Sequence, residues 1–191
     1  MTKIMLVDGH PDPDSARFVH ALAESYSAGA ARAGHEVRRV DLATLDFPLI
    51  RSQHAWENDP PPPVIAQAQA DLAWAEHVAI FYPLWLGDVP ALLKGFLEQL
   101  LRPDFAMKRD RGLRSGLLHG RSARLVVTMG MPAIFYRFYY GAQSVKSFER
   151  NILKFIGIDS VRHTLIGGVE ESADARAEWL ADLEKLGAAA I

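Results

Sequence analysis

Short apolar stretches alternate along this chain with longer stretches of helical periodicity. Three of the short stretches are nearly continuous runs of apolar residues and another, EVRRVDL, alternates, which is typical of β-strands that are wholly or partly buried. The five predicted strands are KIMLVD (3–8), EVRRVDL (36–42), HVAIFYP (77–83), ARLVVTMG (123–130) and VRHTLIGG (161–168).

Amphipathic segments separate these strands. After the first strand, Ser15 is predicted to cap a helix that runs to about Ala33, and Gly34 suits the position just past its end. Residues 43–63 show no regular period and end in a proline run that cannot lie inside a helix. Further helices are predicted at VIAQAQADLAWAE (64–76), PALLKGFLEQLL (90–101), residues 143–156 and ADARAEWLADLEKLG (173–187).

This alternation predicts an α/β fold with a parallel sheet covered by helices on both faces. Five strands favour a flavodoxin-like, doubly wound sheet with strand order 2-1-3-4-5. The sequence shows no internal repeat and no second core, so residues 1–191 are interpreted as one domain.

Composition narrows the functional class. Hydrophobic residues make up 49% of the 191 and the formal net charge is -2, which gives no electrostatic case for nucleic acid or an anionic membrane. The absence of cysteine excludes disulfides and thiol nucleophiles. With apolar runs too short for a signal peptide or a membrane span, a soluble cytoplasmic protein is expected.

Three loops are expected side by side at the carboxyl edge of this sheet, where such folds bind ligands. The first loop is GHPDPDSAR (9–17), the second is YPLWLGDVPA (82–91) and the third is TMGMPAIFY (128–136). The first combines a helix start, a serine hydroxyl and the cations His10 and Arg17, and its two prolines stiffen it. It is interpreted as a phosphate site.

The acids of the first loop admit other interpretations. Asp12 and Asp14 resemble the DxD pair of a magnesium-dependent phosphotransfer site, or they belong to a plain structural loop. The proline between them favours side chains that point to solvent, and no metal site is predicted.

The other two loops suit a flat, polar-edged ring. Trp85 beside a helix start offers an apolar plane and backbone amides, and Gly130 leaves the backbone of the third loop open to a ligand. A core role for Trp85 is the alternative. The run FYRFYY (135–140) is either a stacking wall for a substrate, a dimer surface or a packed corner.

The motifs of the three loops, together with DFAM at 104–107, resemble the flavodoxin-like NAD(P)H:quinone oxidoreductases. That family includes flavoprotein partners of bacterial potassium-efflux systems, and PLW…VPALLKGF is the most specific part of the likeness. The resemblance implies flavin contacts from the first loop at the phosphate, from the second along the ring and from the third at the pyrimidine edge. The implied cofactor residues are His10, Ser15, Ala16, Arg17, Pro83, Leu84, Trp85, Leu86, Thr128, Met129, Gly130 and Met131.

The resemblance also implies a reaction in which NAD(P)H reduces the flavin by hydride transfer and a quinone or similar acceptor takes two electrons. Tyr136 is the implied catalytic residue, and homodimers are usual in such proteins. The short segment between the second and third strands favours FMN, with FAD as the alternative. A regulatory flavoprotein that gates a membrane transporter is the competing function.

Departures from the family pattern bear on the substrate more than on the flavin. Arg17 stands where a polar amide side chain is usual, and TMGM replaces the usual TTGG. Tyr139, Tyr140 and Gly141 occupy the region where some quinone reductases carry a histidine. A hydrolase is disfavoured, since the chain lacks G-x-S-x-G, the P-loop motif and HExxH.

Overall fold

A computed structural model describes residues 1–109, 116–170 and 172–191. Its centre is a five-stranded, all-parallel sheet in the order β2-β1-β3-β4-β5, as predicted. The strands are β1 (Lys3–Asp8), β2 (Glu36–Asp41), β3 (His77–Pro83), β4 (Ser122–Thr128) and β5 (Ser160–Ile166).

Helices flank the strands on both faces. They are α1 (Phe18–Arg32), α2 (Gln53–Glu57), α3 (Pro63–Trp74), α4 (Ala91–Leu100), α5 (Ala133–Phe138), α6 (Gln143–Ser147) and α7 (Ala173–Ala188), with a 3₁₀ turn at Leu42–Thr44 and a π-helical turn at Phe148–Leu153. No helix among the described residues combines the length and the apolar character that a membrane span requires.

Alternating residues of β1 supply two separate apolar clusters, one on each face of the sheet. Ile4 and Leu6 pack with Leu22 and Tyr26 of α1 and with Leu183 of α7. Their neighbours in β1 join the larger cluster beneath α3, α4 and the chain from α5 to the π-helical turn. Burial on both faces explains why β1 and β3 read as continuous apolar runs.

The start of α1 differs from its prediction. The helix begins at Phe18 rather than after Ser15, and no side chain caps it. The carboxylates of Asp12 and Asp14 accept backbone amides two residues further on, at Asp14 and Ala16. These local turns compete with helix formation and delay it by nearly one turn. The end agrees with the prediction, because Gly34 has the positive φ of 78° that glycine adopts most readily.

Two short helices were not predicted. Residues 53–57 form α2 within the segment interpreted as irregular, and Ser52 caps it by accepting the Ala55 amide at 3.1 Å. The aromatic run of the third loop forms α5. Neither segment is long enough to display a period in the sequence.

Candidate flavin site

The three loops meet at one edge of the sheet. β3 and β4 end in register, with Pro83 opposite Thr128, and the amide of Leu84 donates to the Thr128 carbonyl at 2.8 Å. The first loop reaches the second where the His10 ring packs edge-on against Trp85, with 5.8 Å between ring centroids. The predicted convergence at the carboxyl ends of β1, β3 and β4 is therefore present.

Gly9 allows the first loop to leave the sheet close to β3. Its amide donates to the Phe81 carbonyl at 2.7 Å, which extends the contact between β1 and β3 by one residue. A Cβ atom at this position would lie 2.8 Å from the same oxygen and 2.9 Å from Leu93. Only glycine fits this approach without a backbone shift.

Hydrogen bonds within the first loop hold its shape. The amide of Asp12 donates to His10 Nδ1 at 3.0 Å, and the amide of Asp14 donates to Asp12 Oδ1 at 3.0 Å. The amide of Ala16 donates to Asp14 Oδ1, also at 3.0 Å, and the amide of Arg17 donates to the Asp14 carbonyl. The amides of Asp14, Ala16 and Arg17, at the predicted helix start, therefore already have partners inside the loop.

The first loop still offers donors to a ligand. Among the described residues, the Ser15 hydroxyl and the amides of Ser15, Phe18 and Val19 have no hydrogen-bond partner. His10 Nδ1 accepts a hydrogen bond, so in the neutral ring Nε2 carries the proton. Burial, and then the charge of His20, lowers the pKa of His10, which keeps that ring neutral near pH 7.

Arg17 is held by the two acids of its own loop. Its Nε and one terminal nitrogen lie 2.8 and 2.7 Å from Asp12 Oδ2, and the same terminal nitrogen lies 3.5 Å from Asp14. The hydrogen bond from the Asp14 amide, and then Arg17, lowers the pKa of Asp12. Both carboxylates are partly exposed, as predicted, but they orient a cation instead of pointing freely into solvent.

The second loop presents an apolar surface on a tight turn. The amides and carbonyls of Trp85 and Asp88 pair at 2.9 and 3.0 Å. Leu86 and Gly87 between them have φ values of 49° and 82°. Leucine rarely adopts this left-handed region, and here its side chain is wholly exposed beside a half-exposed Trp85. A strained turn with exposed apolar side chains is typical of a binding site.

The third loop combines buried and open positions. Thr128 and Met129 are buried, and Met131 packs against the larger core cluster. Gly130 is exposed, and no atom lies within 4 Å of the position a Cβ would take. The backbone at Gly130 is therefore open to a ligand, as the sequence indicated.

Tyr136 lies deeper than a substrate-facing residue would. It is 2% exposed, and its hydroxyl lies 2.6 Å from Ser144 Oγ. Ser144 in turn lines a cavity of about 470 Å³ beside Trp85, Pro90 and Phe148. Sequence reasoning missed Ser144, which carries no local motif and is brought to the second loop only by the fold.

A larger cavity of about 870 Å³ adjoins the smaller one through Lys94 and Ile152. It lies between α2, α4 and the chain at 151–156, and Trp56, Leu97 and Phe155 contribute to its apolar lining. None of its lining residues belongs to the first loop, so it is separate from the phosphate site predicted there.

Sequence reasoning also missed a charged cluster beneath the first loop. Asp8, at the end of β1, is 1% exposed and contacts His20 of α1 and Arg39 of β2. His20 and Arg39 lie 12 and 31 positions after Asp8 in the sequence, so no local spacing reveals the cluster. The signal available in the sequence was Asp8 itself, a charged residue at the end of an apolar strand.

The comparisons with known proteins identify the family of this chain. A family model described as flavodoxin-like fold matches residues 2–187. The chain belongs to this family. The resemblance to flavodoxin-like NAD(P)H:quinone oxidoreductases, predicted from the loop motifs, is confirmed.

Similar proteins carry oxidoreductase names. The chain is 28% identical over 162 residues to an uncharacterized NAD(P)H oxidoreductase of Haemophilus influenzae, covering 82% of this chain and 80% of that protein. It is 25% identical over 205 residues to an FMN-dependent NADH:quinone oxidoreductase of Nitratidesulfovibrio vulgaris, covering 93% and 94%.

Among solved structures, the NAD(P)H:quinone oxidoreductase of Methanothermobacter marburgensis superposes with a TM-score of 0.81 at 23% identity, covering 98% of this chain and 96% of that one. This likeness supports the fold.

Proposed function

We propose that the chain is an FMN-dependent NAD(P)H oxidoreductase that passes two electrons to a quinone or a similar small acceptor. The observation that carries this proposal is the meeting of three loops at the carboxyl edge of the sheet, where an exposed Trp85 adjoins donors of the first loop. The names of the similar proteins from Haemophilus influenzae and Nitratidesulfovibrio vulgaris support the same reaction class.

The first loop is proposed to hold the flavin phosphate. His10 donates from Nε2, Ser15 donates from its hydroxyl and its amide, and Ala16 packs beside them. Arg17 exchanges part of its contact with Asp12 for a charge-assisted hydrogen bond to phosphate. The positive end of the α1 dipole adds to the attraction.

The second and third loops are proposed to hold the ring. Pro83, Leu84, Trp85 and Leu86 line its plane, and Thr128, Met129, Gly130 and Met131 face its pyrimidine edge. FMN supplies the ability to accept a hydride and release the electrons in pairs. The open backbone at Gly130 places amide dipoles where reduction adds negative charge, so the chain orients the ring and stabilises that charge.

Tyr136 is proposed to act through Ser144. Because its hydroxyl is buried and bonded to Ser144 Oγ, a proton or hydrogen bond reaches the 470 Å³ cavity by way of Ser144. The acceptor is proposed to bind in that cavity, against Trp85. Tyr136→Phe should then slow acceptor reduction while leaving flavin binding unchanged, and an unaltered rate would exclude Tyr136 from the mechanism.

A second copy of the chain is proposed to cover the aromatic surface of α5. Phe135 and Tyr139 stack with centroids 4.8 Å apart, and Phe138 and Tyr139 are 77% and 73% exposed. Exposed aromatic residues at this density are typical of an interface. Analytical ultracentrifugation should find a dimer for the wild type and a monomer for Phe138→Glu; a monomeric wild type would assign this surface to substrate.

The decisive experiment is the visible spectrum of the purified protein after incubation with FMN or FAD and desalting. A retained yellow band that NADH or NADPH bleaches without oxygen, and that a quinone restores, is expected with FMN. Retention of FAD alone would replace the cofactor assignment. A band that neither nicotinamide bleaches would instead favour the regulatory flavoprotein with a transporter partner, and no retained flavin would contradict both functions.

The phosphate assignment has a matched test in two arginines, one directly before α1 and one at its last residue. Arg17→Gln should weaken FMN binding about tenfold, since a hydrogen bond to a charged group contributes roughly 1.5 kcal/mol or more. Arg32→Gln removes an exposed arginine at the other end of the same helix and should leave the affinity unchanged. Riboflavin, which lacks the phosphate, should bind wild type and both variants alike.

A further inference from the structure

The charged cluster beneath the first loop begins at Asp8. This carboxylate is 1% exposed and accepts hydrogen bonds from His20 Nδ1 at 2.6 Å and from Arg39 at 3.0 Å. It also accepts the amide of His10 at 3.3 Å, at the point where the first loop leaves β1. A buried carboxylate with three donors is a fixed anchor for the elements that supply them.

His20 connects this anchor to the middle of the first loop. Its second ring nitrogen, Nε2, lies 2.9 Å from the carbonyl oxygen of Asp12. A carboxylate and a carbonyl only accept hydrogen bonds, so both nitrogens of His20 must carry protons to satisfy them. The neutral ring has one N–H and would leave a lone pair facing one of the two oxygens.

The charges around His20 favour the protonated ring. Partial burial disfavours its charge, but the hydrogen bonds to Asp8 and to the Asp12 carbonyl, together with the charge of Asp8, outweigh burial and raise the pKa of His20. The charge of Arg39 acts in the other direction and lowers the pKa of His20. Two further carboxylates, Glu24 and Asp41, pair with Arg39.

The remaining neighbour of His20 belongs to the first loop itself. The ring of His10 lies 5.3 Å from that of His20 and stays neutral because its pKa is lowered. The two histidines therefore have different roles. His20 is charged and connects Asp8 to the loop, and His10 is a neutral hydrogen-bond donor within the loop.

We propose that doubly protonated His20 is a positioning residue for the cofactor phosphate, and that its deprotonation releases the Asp12 carbonyl, loosens the first loop and weakens FMN binding. The inference rests on the proposed phosphate site, and it adds a group that does not itself touch the flavin. Because coupling between two binding events is reciprocal, FMN must also favour the protonated form of His20.

The test compares two amide replacements of His20. In His20→Asn the amide nitrogen is as many bonds from Cα as Nδ1, so the contact with Asp8 is kept and the contact with Asp12 is lost. In His20→Gln the amide nitrogen is as many bonds from Cα as Nε2. The contact with Asp12 is therefore kept and the contact with Asp8 is lost. Neither amide titrates.

The measurement is the dissociation constant of FMN, from fluorescence quenching, between pH 5.5 and 9 at fixed ionic strength. The FMN phosphate itself titrates near pH 6, at about the value of other phosphate monoesters, but this contribution is common to all variants. At the acidic end the wild type should bind FMN about fivefold more tightly than His20→Asn, and the difference should vanish as pH rises through the pKa of His20.

His163→Gln is the matched control. His163 also pairs with a carboxylate, at 2.9 Å from Glu149, but it lies on β5 away from the first loop. Its FMN affinity should follow the wild-type pH profile. Riboflavin is the second control, because without a phosphate its affinity should show little dependence on His20.

A measurement on the wild type alone covers the case in which a variant fails to fold. NMR titration of the His20 ring should give a pKa above the ordinary value, and FMN should raise it further. Equal affinity for FMN and riboflavin in the wild type would overturn the phosphate site. If FMN binds more tightly than riboflavin, but its pH profile is the same in wild type and His20→Asn, only the role of His20 is wrong.

Discussion

Two histidines at opposite ends of the sheet differ in the direction in which their pKa is shifted. At the amino end, His77 begins β3, is 1% exposed, and bonds through Nδ1 to the hydroxyl of Ser122 at 2.7 Å. Burial, and then the charges of Arg124 and Arg162, lowers the pKa of His77 to about 4. At the carboxyl end, the carboxylate of Asp8 keeps His20 charged in spite of partial burial.

The comparison shows that the partner decides the charge of a buried ring as much as burial does. Ser122 is a neutral partner whose hydroxyl adapts to either state of the ring, so nothing compensates desolvation of the charged form. Asp8 supplies the opposite charge. The amino end of the sheet thus keeps its buried histidine neutral, whereas the carboxyl end keeps a charged histidine beside the first loop.

The largest expected effect concerns the amino end. The folded chain keeps His77 neutral, whereas the unfolded chain protonates it below about pH 6.5. The free energy of unfolding of the wild type should therefore fall as pH is lowered from 6.5 to 4, by about 3 kcal/mol from this residue. In His77→Phe this contribution should be absent, and urea denaturation at several pH values measures the difference in slope.

Equal slopes for wild type and His77→Phe would mean that His77 is protonated in the folded state. The other titrating groups are common to both proteins, so only the difference between the two curves is informative. His54→Phe, at a largely exposed histidine of α2, should keep the wild-type slope.

At the carboxyl end, Asp8→Asn should lower the free energy of unfolding at pH 7 by about 2–3 kcal/mol. It leaves His20 and Arg39 partly buried without the charge that compensates them, and breaking such a pair is costly. Asp41→Asn, which removes a half-exposed carboxylate from the same arginine, should cost less than about 1 kcal/mol. Similar losses in the two variants would show that Asp8 is no anchor.

The smallest expected effect comes from removing the Ser122 hydroxyl while keeping the His77 ring at the amino end. Ser122→Ala leaves His77 Nδ1 without its partner and should cost about 1 kcal/mol, since a buried nitrogen then loses its hydrogen bond. Ser160→Ala, on the neighbouring edge strand at an exposed position opposite Ser122, is the control and should be neutral in thermal denaturation. A stabilised Ser122→Ala protein would contradict the proposed bond.

Most of the fold could be predicted because burial leaves a direct trace in the sequence. β1 and β3 are covered on both faces, so their apolar runs coincide with the strands that form. The errors occur where local hydrogen bonding replaces periodic burial. The start of α1 is displaced by the turns at Asp12 and Asp14, and α5 escapes because its exposed aromatic residues follow no amphipathic period.

The site divides in the same way. The loops that carry its ligand-facing groups follow strands in order, so their convergence could be predicted from topology. The cluster of Asp8, His20 and Arg39 could not, because its members come from three elements and meet only when α1 packs against β1 and β2. The burial of Tyr136 was hidden for a similar reason, since Ser144 lies beyond the end of α5.

The self-contained hydrogen bonding of the first loop has a consequence for protein design. Its turns are closed by residues two positions apart, so each of these local turns depends only on residues within the loop. Its height above the sheet, by contrast, is set by the long-range contacts of Asp8 and His20. A graft of residues 9–17 onto another sheet of this kind should therefore reproduce the curve of the loop, but its attachment must be transplanted separately.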